Sequence, residues 1–313
     1  MRFTSARSLP VTGPLLLAST LLAGCEVNLN TEGLSARETK SFKVTGLPQI
    51  DLDTFDGAIE IHSWDKPEVE VEIEKRAMEQ SLIDQIKVEA TQQGDTIVLR
   101  VTGPSRADFS GLTIGVNISP TARLRVAVPR NSNLVARSGD GAIRAEALDG
   151  KIVLNTADGS VTATRLSGDI QVRSGDGSIR LDKVTGTLDL ETDDGSIGFE
   201  GQPSVLRLKT GDGSVRVQID PDTVMTGHWD LTTGDGSVTL TLPSAFNAEL
   251  DAETRDGSVR SSHPLLDDGR DERKEGEGSD DRRERRRILR SKMGDGGKTL
   301  RIRTGDGTIR IER

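Results

Sequence analysis

The 313-residue sequence has little of several residue types, and each shortage excludes a class of protein. Its single cysteine, Cys25, allows no disulfide within the chain. Its three histidines are widely spaced and form no His/Cys pattern of the kind that holds zinc. Aromatic residues make up 3% of the chain and tyrosine is absent, which favours a thin interior filled by Ile, Val and Leu. The sequence also lacks a Gly-x-Ser-x-Gly elbow and a phosphate-binding loop, so we expect no enzyme activity, no catalytic residue, no metal and no cofactor.

The first 24 residues are predicted to be a lipoprotein signal peptide. Arg2 and Arg7 precede an apolar run over 11–23, which is too short to span a bilayer as a helix. The run ends in Leu22-Ala23-Gly24-Cys25, which resembles the bacterial lipobox, and the resemblance implies acylation of Cys25. Two or more acyl chains give stable membrane anchoring. A chance cysteine at the end of an ordinary signal peptide is the alternative.

Two further features of the sequence bear on localisation and partners. Glu26 follows the lipobox, which by the same resemblance favours the outer membrane, on its periplasmic or surface face, if the cell is Gram-negative. The formal net charge is −9, and removal of the signal peptide deletes two arginines and no acid. A nucleic-acid-binding protein would carry a basic surface, so nucleic acid is not an expected partner.

A short motif, Asp-Gly followed by a small residue and then Ile or Val, recurs along the chain. Its aspartates are Asp56, Asp140, Asp158, Asp176, Asp194, Asp212, Asp235, Asp256 and Asp306. From Asp140 to Asp212 the spacing is 18 residues each time, and Gly150, Gly168 and Gly186 mark the midpoints. Repetition at a fixed short period is typical of a solenoid.

The residues around each Asp-Gly alternate between apolar and polar types. In one repeat this places Ile170, Val172, Ile179 and Leu181 on the inside. A period of 18 with a midpoint glycine predicts two strands and two bends per coil. Stacked coils would then form an all-β, two-sheet parallel β-solenoid, with the sheets about 10 Å apart.

The Asp-Gly pairs are predicted to be structural turn residues. Asp would accept N–H bonds from the residues that follow, and Gly would adopt positive φ. The predicted turn residues in the regular repeats are Asp140, Gly141, Asp158, Gly159, Asp176, Gly177, Asp194, Gly195, Asp212 and Gly213. The alternative is a ladder of Ca²⁺ sites, but the nonapeptide pattern of such ladders is missing from most alternate half-turns, such as Gly186-Thr187-Leu188.

A second recurrence places arginine just after the bend, at Arg144, Arg180, Arg216, Arg260 and Arg310. The row is interrupted by Thr162, Gly198 and Thr239. We favour a solvated face, and a guanidinium row presented to acidic glycans or lipid phosphates is the alternative.

The sequence divides into six segments. Residues 1–24 are the signal peptide, 25–40 a polar tether, and 41–131 an irregular β-rich section. The last contains strand-like alternation at 69–74, 97–101 and 124–128, and a short helix within 78–86. Residues 132–262 hold the regular repeats, 263–297 form a charged insertion expected to be disordered, and 298–313 form a closing coil expected to cap the stack.

The residues at 124–129 and 134–143, together with the Asp-Gly-Ser-Ile/Val repeats after them, resemble a bacterial family of proposed adhesin domains of unknown function. The match covers about 45–262 and the last coil. We therefore expect a lipid-anchored, non-enzymatic β-solenoid of the cell envelope that serves as an adhesion, scaffold or interaction surface. Its partners would be the membrane, through Cys25, and an envelope glycan or protein, and its oligomeric state stays open. The alternative function is a glycan-active or Ca²⁺-dependent β-helix.

Overall fold

The computed structural model describes residues 27–30, 33–104, 119–266, 272–273 and 287–313. These residues form an all-β, solenoid-like fold of 24 strands, with one short helix in the described part of the chain. The N-terminal section contains both antiparallel and parallel strand pairs. Their bounds are β1 (Val27–Asn30), β2 (Gly33–Lys43), β3 (Gln49–Thr54), β4 (Ile59–Trp64), β5 (Glu68–Ala77), α1 (Gln80–Gln85), β6 (Lys87–Gln93), β7 (Thr96–Thr102) and β8 (Thr121–Pro129).

These bounds include the three strands and the helix predicted in this section, and β8 ends at Pro129. The tether, in contrast, was predicted too long. Residues 33–40 belong to β2, which pairs antiparallel with β5 over ten residues. The segment has no apolar alternation because cross-strand charge pairs hold it instead, including Lys75 with Glu38 at 2.9 Å and Arg37 with Glu74 at 3.1 Å.

The regular repeats pair in parallel with the predicted 18-residue offset. Ile152 lies beside Ile170, which lies beside Leu188, which lies beside Leu206. The strands are β9 (Asn133–Ser138), β10 (Ile143–Glu146), β11 (Asp149–Thr156), β12 (Val161–Thr164), β13 (Ser167–Ser174), β14 (Ile179–Thr192), β15 (Ile197–Thr210), β16 (Val215–Ile219), β17 (Trp229–Thr233), β18 (Val238–Thr241), β19 (Ala248–Thr254) and β20 (Val259–Ser261).

The strands form two ladders that belong to one sheet rather than to two separate sheets. Ladder A runs through β4, β10, β12, the first half of β14 and of β15, then β16 and β18. Ladder B runs through β3, β9, β11, β13, the second half of β14 and of β15, then β17. β14 and β15 each extend through the half-turn and pair on both sides of it, with two register shifts between, and this joins the two ladders.

The interior is filled by aliphatic side chains from both ladders. Ile170, Val172, Ile179 and Leu181 are all buried, as the alternation predicts. One aromatic pair lies near the C-terminal end, Trp229 against Phe246 with ring centroids 5.5 Å apart. Since each coil buries its own apolar residues against the next coil, the stack forms one continuous hydrophobic core.

The C-terminal coil does not cap the stack as predicted; it is inserted one coil from the end. The last strands are β21 (Glu272–Arg273), β22 (Arg287–Met293), β23 (Thr299–Thr304) and β24 (Ile309–Glu312). β23 lies between β17 and β19, and β24 lies between β18 and β20. This coil has neighbours on both sides, and its four apolar residues are fully buried: Leu300, Ile302, Ile309 and Ile311.

The segment predicted as a disordered insertion is ordered in part. Residues 287–293 form β22, which pairs antiparallel with β19 and covers its outer edge. The pairing is supported by Asp251 of β19, which accepts a hydrogen bond from Arg290 at 3.3 Å. Residues 267–271 and 274–286 lie outside the described residues.

Candidate functional site

The glycines of the nine Asp-Gly pairs form a single column along one corner of the stack. Their spatial order is Gly57, Gly141, Gly159, Gly177, Gly195, Gly213, Gly236, Gly307 and Gly257. A Cβ on Gly177 would collide with the carbonyl oxygen of Gly159 one coil away, and the same holds at each later step. Positive φ, the predicted reason for glycine, occurs in this column only at Gly57. Glycine is needed at the other positions because successive backbones touch.

Beside the glycines runs a column of buried hydroxyl residues that our sequence analysis missed. A Ser or Thr stands three residues before every column glycine: Thr54, Ser138, Thr156, Ser174, Thr192, Thr210, Thr233, Thr254 and Thr304. The Gly177 N–H donates to Ser174 Oγ at 3.1 Å, and Ser174 Oγ donates to Gly159 O at 2.9 Å. The hydroxyl therefore closes its own turn and binds the adjacent coil. The recurring Ser/Thr-x-Asp-Gly spacing was the available signal.

The aspartates of the motif lie on the outside of the same corner. Asp140, Asp158, Asp176, Asp194 and Asp212 are exposed, and their carboxylates accept no hydrogen bond within the described part of the chain. The bond predicted for Asp is made by the Ser/Thr hydroxyl. Among the described residues no group of three His, Cys, Asp or Glu is arranged to hold a metal ion.

The outer face of ladder B carries charges that neutralise one another between coils. Glu191 lies between Lys209, whose Nζ is 2.7 Å away, and Arg173, whose Nε is 3.5 Å away. The hydrogen bond from Lys209 outweighs burial and holds the pKa of Glu191 below its usual value. Burial would raise the pKa of Asp251, but hydrogen bonds from Arg303 Nη2 at 2.6 Å and Arg290 Nε at 3.3 Å outweigh it and lower that pKa. Ladder B therefore presents a largely self-paired surface.

The predicted arginine row lies in one column on the outer face of ladder A. The order along the stack is Arg144, Thr162, Arg180, Gly198, Arg216, Thr239, Arg310 and Arg260. Coils are separated by about 4.8 Å, so arginines two coils apart are about 9.6 Å apart. Arg144 lies 4.0 Å from Glu60. The other four arginines are exposed and make no ion pair or side-chain hydrogen bond with the described residues.

The N-terminal end of ladder A differs, because its charges form a closed network. Glu74 of β5 is buried, with a side chain only 2% exposed, and it accepts hydrogen bonds from Arg76 at 2.8 Å and Arg37 at 3.1 Å. Arg125 of β8 lies 3.0 Å from Glu72 and 3.5 Å from Glu60. Within the described part of the chain, the arginines of the row that form no ion pair therefore lie in its later coils.

A groove of about 760 Å³ lies near the C-terminal end, lined by residues 222–225, 245–247 and 296–298. It is formed where the connection between β16 and β17 is longer than in the other coils. Its charged lining residues are Asp222 and Lys298, which do not form a catalytic arrangement. Cys25 lies outside the described residues. Within those residues no helix is both long enough and apolar enough to cross a membrane.

Comparison with known proteins gives a family and several solved structures. No curated protein matches the chain. A proposed adhesin from Bacteroides fragilis is 12% identical, with 88% of this chain and 96% of that chain covered and a TM-score of 0.46. A proposed adhesin from Parabacteroides merdae is 11% identical, with 88% and 95% covered and a TM-score of 0.44. A proposed cell adhesion protein from Clostridium sporogenes is 13% identical, with 89% and 99% covered and a TM-score of 0.27.

A family match covers residues 47–312, which is most of the sequence and includes both the irregular section and the C-terminal coil. The resemblance predicted from the strand ending at Pro129 and the repeats after it is confirmed by this match. The chain belongs to the Toastrack DUF4097 family.

Proposed function

We propose that this protein is a lipid-anchored, non-enzymatic component of the bacterial cell envelope that acts as an adhesion or interaction surface. The observation that carries the proposal is the closed interior. Aliphatic side chains fill the coils, and the corner backbones are in contact, so the described coils enclose no ligand site. Outward-facing columns of charged side chains are then the surfaces available to a partner. As part of this proposal, the two ladders are the two faces of a flattened coil.

The anchor is proposed at Cys25, and the start of the fold supports a short connection. β1 begins at Val27, two residues after Cys25, and pairs antiparallel with β2 at the N-terminal end of ladder A. An extended chain spans at most about 3.6 Å per residue, so this end of the stack would lie close to the lipid surface. The axis of the stack would then lead away from the membrane.

Replacement of the acylated cysteine tests the anchor. In Cys25→Ser the protein should move from the membrane fraction to the soluble fraction of the same compartment, because one membrane-binding group is lost entirely. Fractionation followed by an alkaline wash measures this, with Ser35→Ala as a control in the first long strand. Continued membrane association of Cys25→Ser after the wash would contradict the anchor.

Crosslinking in intact cells tests the interaction surface. A photoreactive side chain placed on an outward column should capture a specific partner, whereas one placed at a buried position such as Leu190 should not. The competing Ca²⁺-dependent function predicts a different result. A chelator would then lower the melting temperature by many degrees and Ca²⁺ would restore it, which our proposal does not allow.

A further inference from the structure

On the outer face of ladder A, four of the five arginines of the row are followed two residues later by an acidic or amide side chain. The four pairs in the repeats are Arg144/Glu146, Arg180/Asp182, Arg216/Gln218 and Arg310/Glu312. Residues i and i+2 of a strand point to the same face and lie about 7 Å apart. Apart from a register shift between β14 and β15 after Leu181, the register between coils is kept, so the acceptors form a second column beside the arginines. Ladder A therefore presents a positive stripe beside a negative one.

In the later coils, the charged side chains of the two stripes have no partner of opposite charge among the described residues. Arg180, Arg216 and Arg310 make no ion pair or side-chain hydrogen bond with described residues, and the same is true of Asp182 and Glu312. Pairs two residues apart on one strand can form, as between Arg76 and Glu74 of β5, but no such ion pair forms among these residues of ladder A. On ladder B, opposite charges alternate from coil to coil and form ion pairs within the chain, as in Arg173, Glu191 and Lys209. Ladder A does not alternate, so its charges are directed outward.

We propose that ladder A is the contact surface of a side-by-side homodimer. A two-fold axis parallel to the stack and midway between the stripes places the positive stripe of one copy opposite the negative stripe of the other. Arg180 then faces Asp182 of the second copy at the same height, Arg310 faces Glu312, and Arg216 faces the Gln218 carbonyl. Each pair occurs twice, because a two-fold contact uses the same patch on both copies.

The proposed symmetry fits a protein anchored at one end. An axis parallel to the stack keeps both copies in the same orientation, so both N-termini reach the same membrane. In this respect the inference rests on the proposed function. Exposed ion pairs are individually weak, so the contact depends on the high local concentration that a shared membrane provides. We therefore expect dimers on the membrane and monomers in dilute solution.

An acidic glycan is the other partner that an arginine row could suggest, and the surrounding charges disfavour it. The negative stripe lies about 7 Å to one side of the arginines. The exposed Asp column of the corner lies on the opposite side of them. A polyanion would meet both rows of carboxylates, whereas a second copy brings a positive stripe to the acceptor stripe.

The experiment uses a single introduced cysteine in the full-length chain, expressed in cells. Gly198 lies in the arginine column, and a Cβ there has its nearest contact 4.0 Å away, at Ile179 O. In Gly198→Cys a short bis-maleimide crosslinker should give a covalent dimer in the membrane fraction. Val153→Cys, on the outer face of ladder B, is the matched control and should stay monomeric. Equal crosslinking of both variants, or none of Gly198→Cys, would overturn the proposal.

Charge changes in the Gly198→Cys background separate the two partners. Arg180→Glu with Arg310→Glu should reduce the dimer about tenfold, because attraction becomes repulsion at four contacts. Adding Asp182→Arg and Glu312→Arg restores complementary stripes and should restore the dimer. Asp182→Arg with Glu312→Arg alone should also reduce it. If this last variant instead keeps its dimer and gains affinity for polygalacturonate, a polyanion is the partner and the proposal is wrong.

Failure of the anchor and failure of the dimer give different results. Protein found in the soluble fraction would count against the anchor at Cys25. Membrane-bound Gly198→Cys that stays monomeric would count against the ladder A contact alone. Circular dichroism melting of each purified variant shows that the exposed substitutions leave the fold intact.

Discussion

Glycine in the corner column provides space for the neighbouring backbone. Each carbonyl oxygen of the column lies close to where a Cβ on the glycine of the next coil would be. The buried Ser/Thr hydroxyl of that next coil donates to the same oxygen. The corner therefore needs a small residue and a hydroxyl residue together, three positions apart. This explains why the motif is more regular than a turn alone would require.

Alanine substitution at two glycines tests whether glycine is needed for lack of space or for its backbone conformation. Gly177→Ala should destabilise the protein by about 1–3 kcal/mol, because the new methyl group collides with Gly159 O and the coils must separate. Gly198→Ala is the control, since its Cβ has room, and it should be neutral or stabilising by up to about 1 kcal/mol. Urea unfolding measures both. Equal effects would contradict the steric explanation.

The hydroxyl column predicts a second contrast at one position. Thr210 Oγ1 donates to Gly195 O at 2.8 Å and accepts from the Gly213 N–H at 3.3 Å. Thr210→Val keeps the shape and should cost about 1–3 kcal/mol, because two buried backbone groups lose a partner. Thr210→Ser keeps the hydroxyl and should cost less. Chemical denaturation of the two variants gives the comparison, and a Val variant as stable as Ser would refute the role.

At the scale of elements, the charges of β2, β5 and β8 stabilise the N-terminal end of ladder A. Burial alone would raise the pKa of Glu74, but hydrogen bonds from Arg76 and Arg37 outweigh it and lower that pKa below its ordinary value of 4.5. A carboxylate whose pKa is lowered by folding contributes stability above its unfolded pKa and loses it as the pH falls through its folded pKa. The β2–β5 pairing should therefore weaken in acid.

The pH dependence of melting tests this element. The wild-type melting temperature should fall as the pH is lowered from 6 through the lowered pKa of Glu74, where this carboxylate becomes protonated in the folded protein. Glu74→Gln should already be less stable at pH 6 and should show a shallower decrease. Glu70→Gln is the control, since Glu70 lies on the same strand and forms no ion pair with the residues that the structure describes. A wild-type slope in Glu74→Gln would show that another group titrates.

At the scale of the whole molecule, the sequence predicts what is local to a coil and not the order of the coils. Alternation around Asp176-Gly177 gives the inward residues, and the 18-residue period gives the parallel register. Strand β2 was missed because ion pairs, rather than burial, hold it. The position of the last coil was missed because 248–261 and 299–312 carry the same repeat, so the sequence contains no local signal of which lies outside.

The inserted position of the last coil has a consequence that a terminal cap would not have. β19 and β20 make their parallel pairs only with β23 and β24 among the described strands. Deletion of 298–313 should therefore release 248–261 from the stack, with β22, while β17 and β18 become the new end. Hydrogen exchange should show loss of protection throughout 248–261 and little change in the coils before β15.

One alternative outcome is specific to repeat proteins. Because Thr254-Arg255-Asp256-Gly257 matches Thr304-Gly305-Asp306-Gly307 in register, the released coil could move inward and pair with β17 and β18. Protection of 248–261 would then persist in the truncated protein, and the prediction would fail. Ala157 and Asp193 occupy the equivalent corner position in inner coils, so a side chain there does not prevent the shift, and hydrogen exchange decides between the two outcomes.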